Sequence, residues 1–165
     1  MNVVQAVTLL AATITTGLMA GFFTGISYSF MPGLARSSDS TFVETMQKTN
    51  KAILNAWFLV PFMGSIPLLG LAAVLSGSDD ERAALPWIIA GLVLYLVAFF
   101  ITSSVNVPLN NELAAAGDPV PREDLAAVRA RYEARWVRWN LIRALVHAAA
   151  FGCTAWALVE HGGTM

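Results

Sequence analysis

A few short polar motifs carry the chemistry that this sequence can offer. Asn140, Arg143 and His147 follow at spacings of three and four, which puts them on one face of a helix. Asn106 and Asn110 lie four apart around Pro108, in the run Asn106-Val107-Pro108-Leu109-Asn110-Asn111-Glu112. Gln47, Asn50 and Asn55 form another set, and Ser27, Tyr28 and Ser29 a last one. A guanidinium keeps its proton and offers a fork of donors, so Arg143 suits an anionic oxygen. His147, one turn away, is a neutral base able to accept a proton when buried beside that cation. Such a set suits proton abstraction with stabilisation of the resulting oxyanion. The expected catalytic residues are His147, Arg143 and Asn140. The expected substrate contacts are Asn106, Asn110, Trp139, Asn55, Asn50, Trp57 and Tyr28. Each has a plainer reading. Asn and Arg tie helix ends together, Arg143 snorkels to lipid phosphates, and the tryptophans form an interface belt.

Other chemistries fit less well. His147 and His161 are separated by about 21 Å along one helix at 1.5 Å per residue, so one chain cannot clamp a haem between them. No metal-ligand pattern, phosphate loop or nucleophile elbow occurs in the sequence.

These residues need elements to hold them. The chain has 165 residues, of which 56% are hydrophobic and 13% charged. A soluble domain carries about 25% charged residues, so the composition points to the bilayer. A net charge of −1 excludes a nucleic-acid partner recruited by bulk charge. The lone Cys153 excludes an intramolecular disulfide and a cysteine cluster. Charge is missing from residues 1–35, 52–78, 83–111 and 144–159. About 20 apolar residues span a bilayer core. The reading is one all-α domain over 1–165, a four-helix membrane bundle with spans near 3–30, 53–76, 86–108 and 138–160. The first run has no basic residue before it and is too long for a signal-peptide core, so it reads as a span.

Nine of the 10 basic residues fall in the two long loops, 31–52 and 109–143. Excess positive charge marks the cytoplasmic side. The expectation is an integral membrane protein of a bacterial plasma membrane, with both long loops cytoplasmic and both termini outside. All the polar motifs then lie at the cytoplasmic ends of their helices. Amphipathic cytoplasmic helices are expected in both loops. Thr41-Phe42-Val43-Glu44 fits a capping box. Pro121, Glu123 and Asp124 suit a helix start, and Leu125, Val128, Tyr132, Trp136 and Trp139 then form one stripe running into the last span. Thr13, Gly17, Gly21 and Gly25, with Ala144, Ala148 and Gly152, are spaced for close helix contact. Pro61 and Pro67 are expected to bend the second span and leave carbonyls needing partners.

Three segments together resemble the anthrone oxygenase-like family, long catalogued as a domain of unknown function. They are Met46-Gln47-x-x-Asn50 followed by Asn55, then Asn106-x-Pro108-x-Asn110, then Trp136-x-x-Trp139-Asn140-x-x-Arg143. The resemblance covers nearly the whole chain. It implies the four-span layout, and it implies Asn106, Asn110, Trp139, Asn140 and Arg143 as motif positions. Fungal members are associated with oxidation of anthrones to anthraquinones by O2, without an established flavin, haem or metal. His147 comes from depth and helix face alone. The function expected is a membrane oxygenase acting on an anthrone-, phenol- or quinol-like molecule, with O2 as co-substrate and no cofactor. A haem or metal shared between subunits stays open. The expected partners are a lipophilic small molecule, the bilayer and a second copy of the chain. The competing reading is a non-catalytic tetraspan protein: a scaffold, a subunit or a small-molecule carrier.

Overall fold

The computed structural model describes residues 3–77, 82–117 and 124–163. Its regular elements are helices: α1 (Val3–Leu34), α2 (Asp39–Ala52), α3 (Ala56–Leu75), α4 (Leu85–Ala115) and α5 (Leu125–Gly163). All but α2 are long and apolar enough to cross a membrane. Their outward faces carry Val7, Leu10, Val60, Val74, Val93 and Leu145, while Thr16, Ser65, Asn106, Arg143 and His147 are buried. Apolar residues outside and polar ones inside is the pattern that hydrocarbon solvent selects.

The first and third spans run further than their sequence pattern suggested. A proline inside a helix removes a hydrogen bond and crowds the carbonyl four residues back. Here each helix absorbs that crowding by widening one turn. Ile26–Phe30 is a π-helical turn just before Pro32, closed by the Met31 amide donating to the Ile26 carbonyl. Thr102–Asn106 repeats the device before Pro108, closed by the Val107 amide donating to the Thr102 carbonyl. Both helices therefore continue, to Leu34 and Ala115. Such bulges mark functional regions in many helices, and these two lie at the same end of the bundle.

The caps differ in detail from expectation. Ser38, not Thr41, opens α2: its hydroxyl accepts the Thr41 amide, and Asp39 follows in the first turn. Asn55 opens α3 by accepting the Phe58 amide at 3.3 Å. Gln47 serves the end of α4 by donating to the Leu113 and Gly117 carbonyls, where Gly117 takes a left-handed turn at φ 78°. Pro121 and Glu123, expected at the start of α5, lie outside the described residues. The Tyr95 hydroxyl of α4 donates to the Phe62 carbonyl of α3 at 2.8 Å, and within α3 Ser65 donates to the Pro61 carbonyl at 2.7 Å.

Helix contact through small residues is real at Gly17, where an added Cβ would meet the Phe151 ring at 2.9 Å. It does not extend to Gly21, Gly25 or Gly152, which have open space beside them. Between α4 and α5, Gly91 makes such a contact, 2.9 Å from the Thr154 methyl for an added Cβ.

Two apolar clusters fill the interior. One joins the spans through Leu9, Met19, Phe23, Phe62, Ile88 and Tyr95. The other, at the loop-bearing end, joins Phe42, Val43 and Met46 of α2 to Leu109, Leu113, Tyr132 and Trp136. Arg129 fastens this second cluster. It donates to the Ala35 and Ser37 carbonyls, pairs with Asp39 and Glu133, and covers the Phe42 ring. The predicted α5 stripe is thus the face that holds α2 and the end of α4.

Candidate functional site

A cavity of about 330 Å³ lies between the two clusters. That is the lower end of the size range of small-molecule pockets, about 300–1,000 Å³. Its walls are mainly apolar: Phe22 and Phe23 of α1, Met46 of α2, Phe58 and Phe62 of α3. Phe22 and Phe58 stand 5.4 Å apart, and Phe58 stacks on Phe62 at 5.2 Å. Its polar lining comprises Asn50, Thr102, Asn106, Asn110 and Arg143, with Gln47 and Lys51.

Arg143 is the unusual member. It is 3% exposed. One terminal nitrogen donates to Thr102 Oγ1 at 3.1 Å, and the other to Asn140 Oδ1 at 2.6 Å. Asn140 is held in turn, its amide donating to Ser27 Oγ at 2.8 Å. Ser27 and Thr102 both come from the π-helical turns. Two prolines and two bulges in different helices therefore set the partners of one guanidinium. The Phe23 ring lies 4.0 Å beneath it, a contact that contributes about 0.5–2 kcal/mol.

Around it, Asn110 accepts from the Tyr132 hydroxyl at 2.9 Å and the Trp136 indole at 2.8 Å. Asn106 is buried, and its amide reaches the Trp136 carbonyl at 3.5 Å. Three buried polar atoms of lining residues have no hydrogen-bond partner among the described residues: Arg143 Nε, Asn106 Oδ1 and Asn50 Nδ2. Buried polar atoms are rarely left so.

The structure thus brings Arg143, Asn106, Asn110 and Asn50 together. Asn140 sits behind Arg143 as its support. The other expected residues lie elsewhere. His147 is fully buried outside the lining, its ring stacked on Phe23 at 4.9 Å and edge-on to Tyr95 at 4.8 Å. Neither of its nitrogens has a partner among the described residues. Trp57 is 94% exposed and Tyr28 73% exposed, both on the outer surface. Trp139 is half-buried and off the cavity, whose tryptophan is Trp136. Asn55 is spent on capping α3. Sequence reasoning missed Thr102 and the phenylalanine walls. Pro32 and Pro108, each late in a span, were the available signal for the bulges.

A family model described as Anthrone oxygenase matches residues 56–153, more than half of the chain. The chain belongs to the anthrone oxygenase family. No curated protein and no solved structure gives a match. The matched stretch of this family member runs from α3 to α5 and includes Thr102, Asn106, Asn110, Trp136, Asn140 and Arg143. Asn50 and the α1 wall lie outside it. Among the described residues, no group of His, Cys, Asp and Glu converges in a way that could hold a metal ion.

Proposed function

We propose that the chain is a membrane-embedded oxygenase that oxidises a lipophilic aromatic, an anthrone or a related phenol or quinol, with O2. One observation carries this: in a member of the anthrone oxygenase family, a buried arginine ringed by asparagines forms the polar floor of a phenylalanine-walled cavity. The flat rings lie against Phe22, Phe58 and Phe62, and the ring oxygen faces Arg143. Fixed donors in a water-poor site stabilise charge as it develops. Arg143, with Asn140 holding it, favours the enolate once the activated C–H proton leaves. The enolate passes one electron to O2, the two radicals combine as a ring peroxide, and loss of water leaves the quinone. The balance is anthrone plus O2 giving anthraquinone plus water, with every electron supplied by the substrate. The proton given up when the enolate forms is taken up again as the peroxide loses water, so none is consumed overall. His147 keeps the Phe23 ring in place under the guanidinium.

The charge bias of the two long loops supports an orientation to go with this reading. The long loops face the cytoplasm of a bacterial plasma membrane, and the cavity lies at inner-leaflet depth. The test follows O2 uptake by purified protein supplied with an anthrone. Wild type consumes one O2 per quinone formed, and Arg143→Ala loses on the order of 100-fold or more. Uptake by wild type no faster than by Arg143→Ala overturns the assignment for that substrate.

A further inference from the structure

Among the described residues, Arg143 has no counter-charge, and none of its partners is a carboxylate: they are Thr102, Asn140 and the rings of Phe23 and Trp136. The acids at this end of the bundle do not reach it: Asp39 and Glu133 pair with Arg129 and Glu44 with Lys48, and Glu112 of α4 is exposed. A buried charge is costly unless it is paired, and an arginine cannot escape by losing its proton. The unpartnered atoms add direction. Arg143 Nε and Asn50 Nδ2 are donors that need an acceptor, while Asn106 Oδ1 is an acceptor that needs a donor. The Asn106 assignment follows from its amide nitrogen reaching the Trp136 carbonyl. The lining thus asks for a negatively charged oxygen and, beside it, a hydroxyl.

We propose that the cavity binds its ring ligand as an oxyanion, a phenolate or enolate, whose charged oxygen is the counter-ion of Arg143. The inference rests on the reading that the ligand is a lipophilic aromatic. It adds that ionisation accompanies binding itself, before O2 is present. A neutral ketone, a quinone without a hydroxyl, or an aryl ether leaves the guanidinium uncompensated and binds weakly. The site therefore selects acidic substrates and releases the quinone lacking an ionisable group. A hydrogen bond to a charged group contributes about 1.5–3 kcal/mol, so discrimination is roughly 10- to 100-fold.

The test needs no turnover. The probes are an anthraquinone bearing one phenolic hydroxyl and its methyl ether. The phenol absorbs at longer wavelength once ionised, and neither compound is a substrate for O2. Protein in lipid nanodiscs is titrated with each at a pH below the solution pKa of the phenol. The phenol is expected to bind in its ionised colour and to release one proton to buffer, while the ether binds roughly 10- to 100-fold more weakly. Asn140→Asp supplies the internal check. It is isosteric and places a carboxylate where Asn140 Oδ1 now meets Arg143 at 2.6 Å. It should abolish the colour change and bring phenol and ether to equal affinity, because the protein then holds its own counter-ion. Its thermal transition, compared with wild type, shows that it folds.

Equal wild-type affinity for phenol and ether, or phenol bound in its neutral colour, overturns the proposal. Displacement of bound phenolate by stoichiometric phosphatidylglycerol, with an Arg143-dependent response to that lipid alone, assigns the oxyanion to a lipid headgroup and overturns it as well. Failure of the oxygenase reading would appear in O2 uptake instead, which these titrations do not use.

Discussion

The bundle has two polar interiors, and they are built on opposite terms. In the half away from the long loops, each hydroxyl or amide has a match. Gln5 donates to Ser76 at 3.1 Å, Thr13 to the Leu9 carbonyl at 2.8 Å, and Thr16 meets Thr154 at 3.1 Å. Gly17 and Gly91 let the helices close over these bonds. At the other end, Arg143, Asn106 and Asn50 keep unmatched atoms around open volume. Polarity within a membrane bundle therefore means two different things. Matched and tightly covered, it holds helices together. Unmatched beside a cavity, it is where the proposed ligand would bind. His147 stands between these cases, buried and unmatched but without cavity of its own.

Substitutions can break that contrast, and the largest effect belongs to the open end. Arg143→Ala should cut O2 uptake about 100-fold or more while the thermal transition of the protein holds or rises, since an uncompensated buried charge is removed. A fall in stability with activity per folded molecule retained would make Arg143 a structural tie. Next comes Gly91→Ala at the closed end. The new methyl meets Thr154 at 2.9 Å and the Ala150 carbonyl at 3.4 Å. Thr154 is fixed by bonds to Thr16 and the Phe151 carbonyl, so it cannot swing away. Overpacking should destabilise by about 1–3 kcal/mol, read by unfolding in detergent, with turnover per folded molecule unchanged.

Thr154→Val removes an interhelical hydrogen bond and keeps the shape. Bonds of this kind inside membranes average about 0.6 kcal/mol, so a small loss of stability is expected and no change in ligand affinity. The smallest effect separates the roles of His147. If the ring only supports Phe23, His147→Phe should stay within about threefold of wild-type uptake, with the shape of the pH–rate profile intact, because stacking of this kind contributes about 0.5–1.5 kcal/mol. A loss as deep as that of Arg143→Ala, together with loss of the low-pH limb of the profile, would restore His147 as the proton acceptor.

Much of this architecture was legible because bilayer physics leaves a coarse trace. Charge-free runs located the four spans, and the three- and four-residue spacing of Leu125, Val128, Tyr132 and Trp136 located the buried face of α5. The site was legible in part. Spacing alone put Asn140 and Arg143 on one helix face, and depth put Asn106 beside them. Aromatic roles were not legible, since a tryptophan near a span end serves equally as belt or wall. Trp57 turned outward and Trp136 inward. Nor were the helix ends. The spans expected to end near 30 and 108 run on, because one widened turn before Pro32 and before Pro108 carried each helix onward and delivered Ser27 and Thr102 to the guanidinium and its support. A bulge depends on what the freed groups meet in space, and a single sequence does not record that.

The central claim is that the unmatched end of the bundle is where a ring compound sits. Photolabelling tests it most directly: an aryl azide built on a hydroxyanthraquinone is irradiated with the protein in nanodiscs, and the adducts are mapped by mass spectrometry. Adducts are expected on cavity residues such as Met46, Phe58 and Met63, and are lost when unlabelled hydroxyanthraquinone is added in excess. Adducts confined to outward residues such as Trp57, Trp87 and Trp156, and indifferent to that competitor, would contradict it.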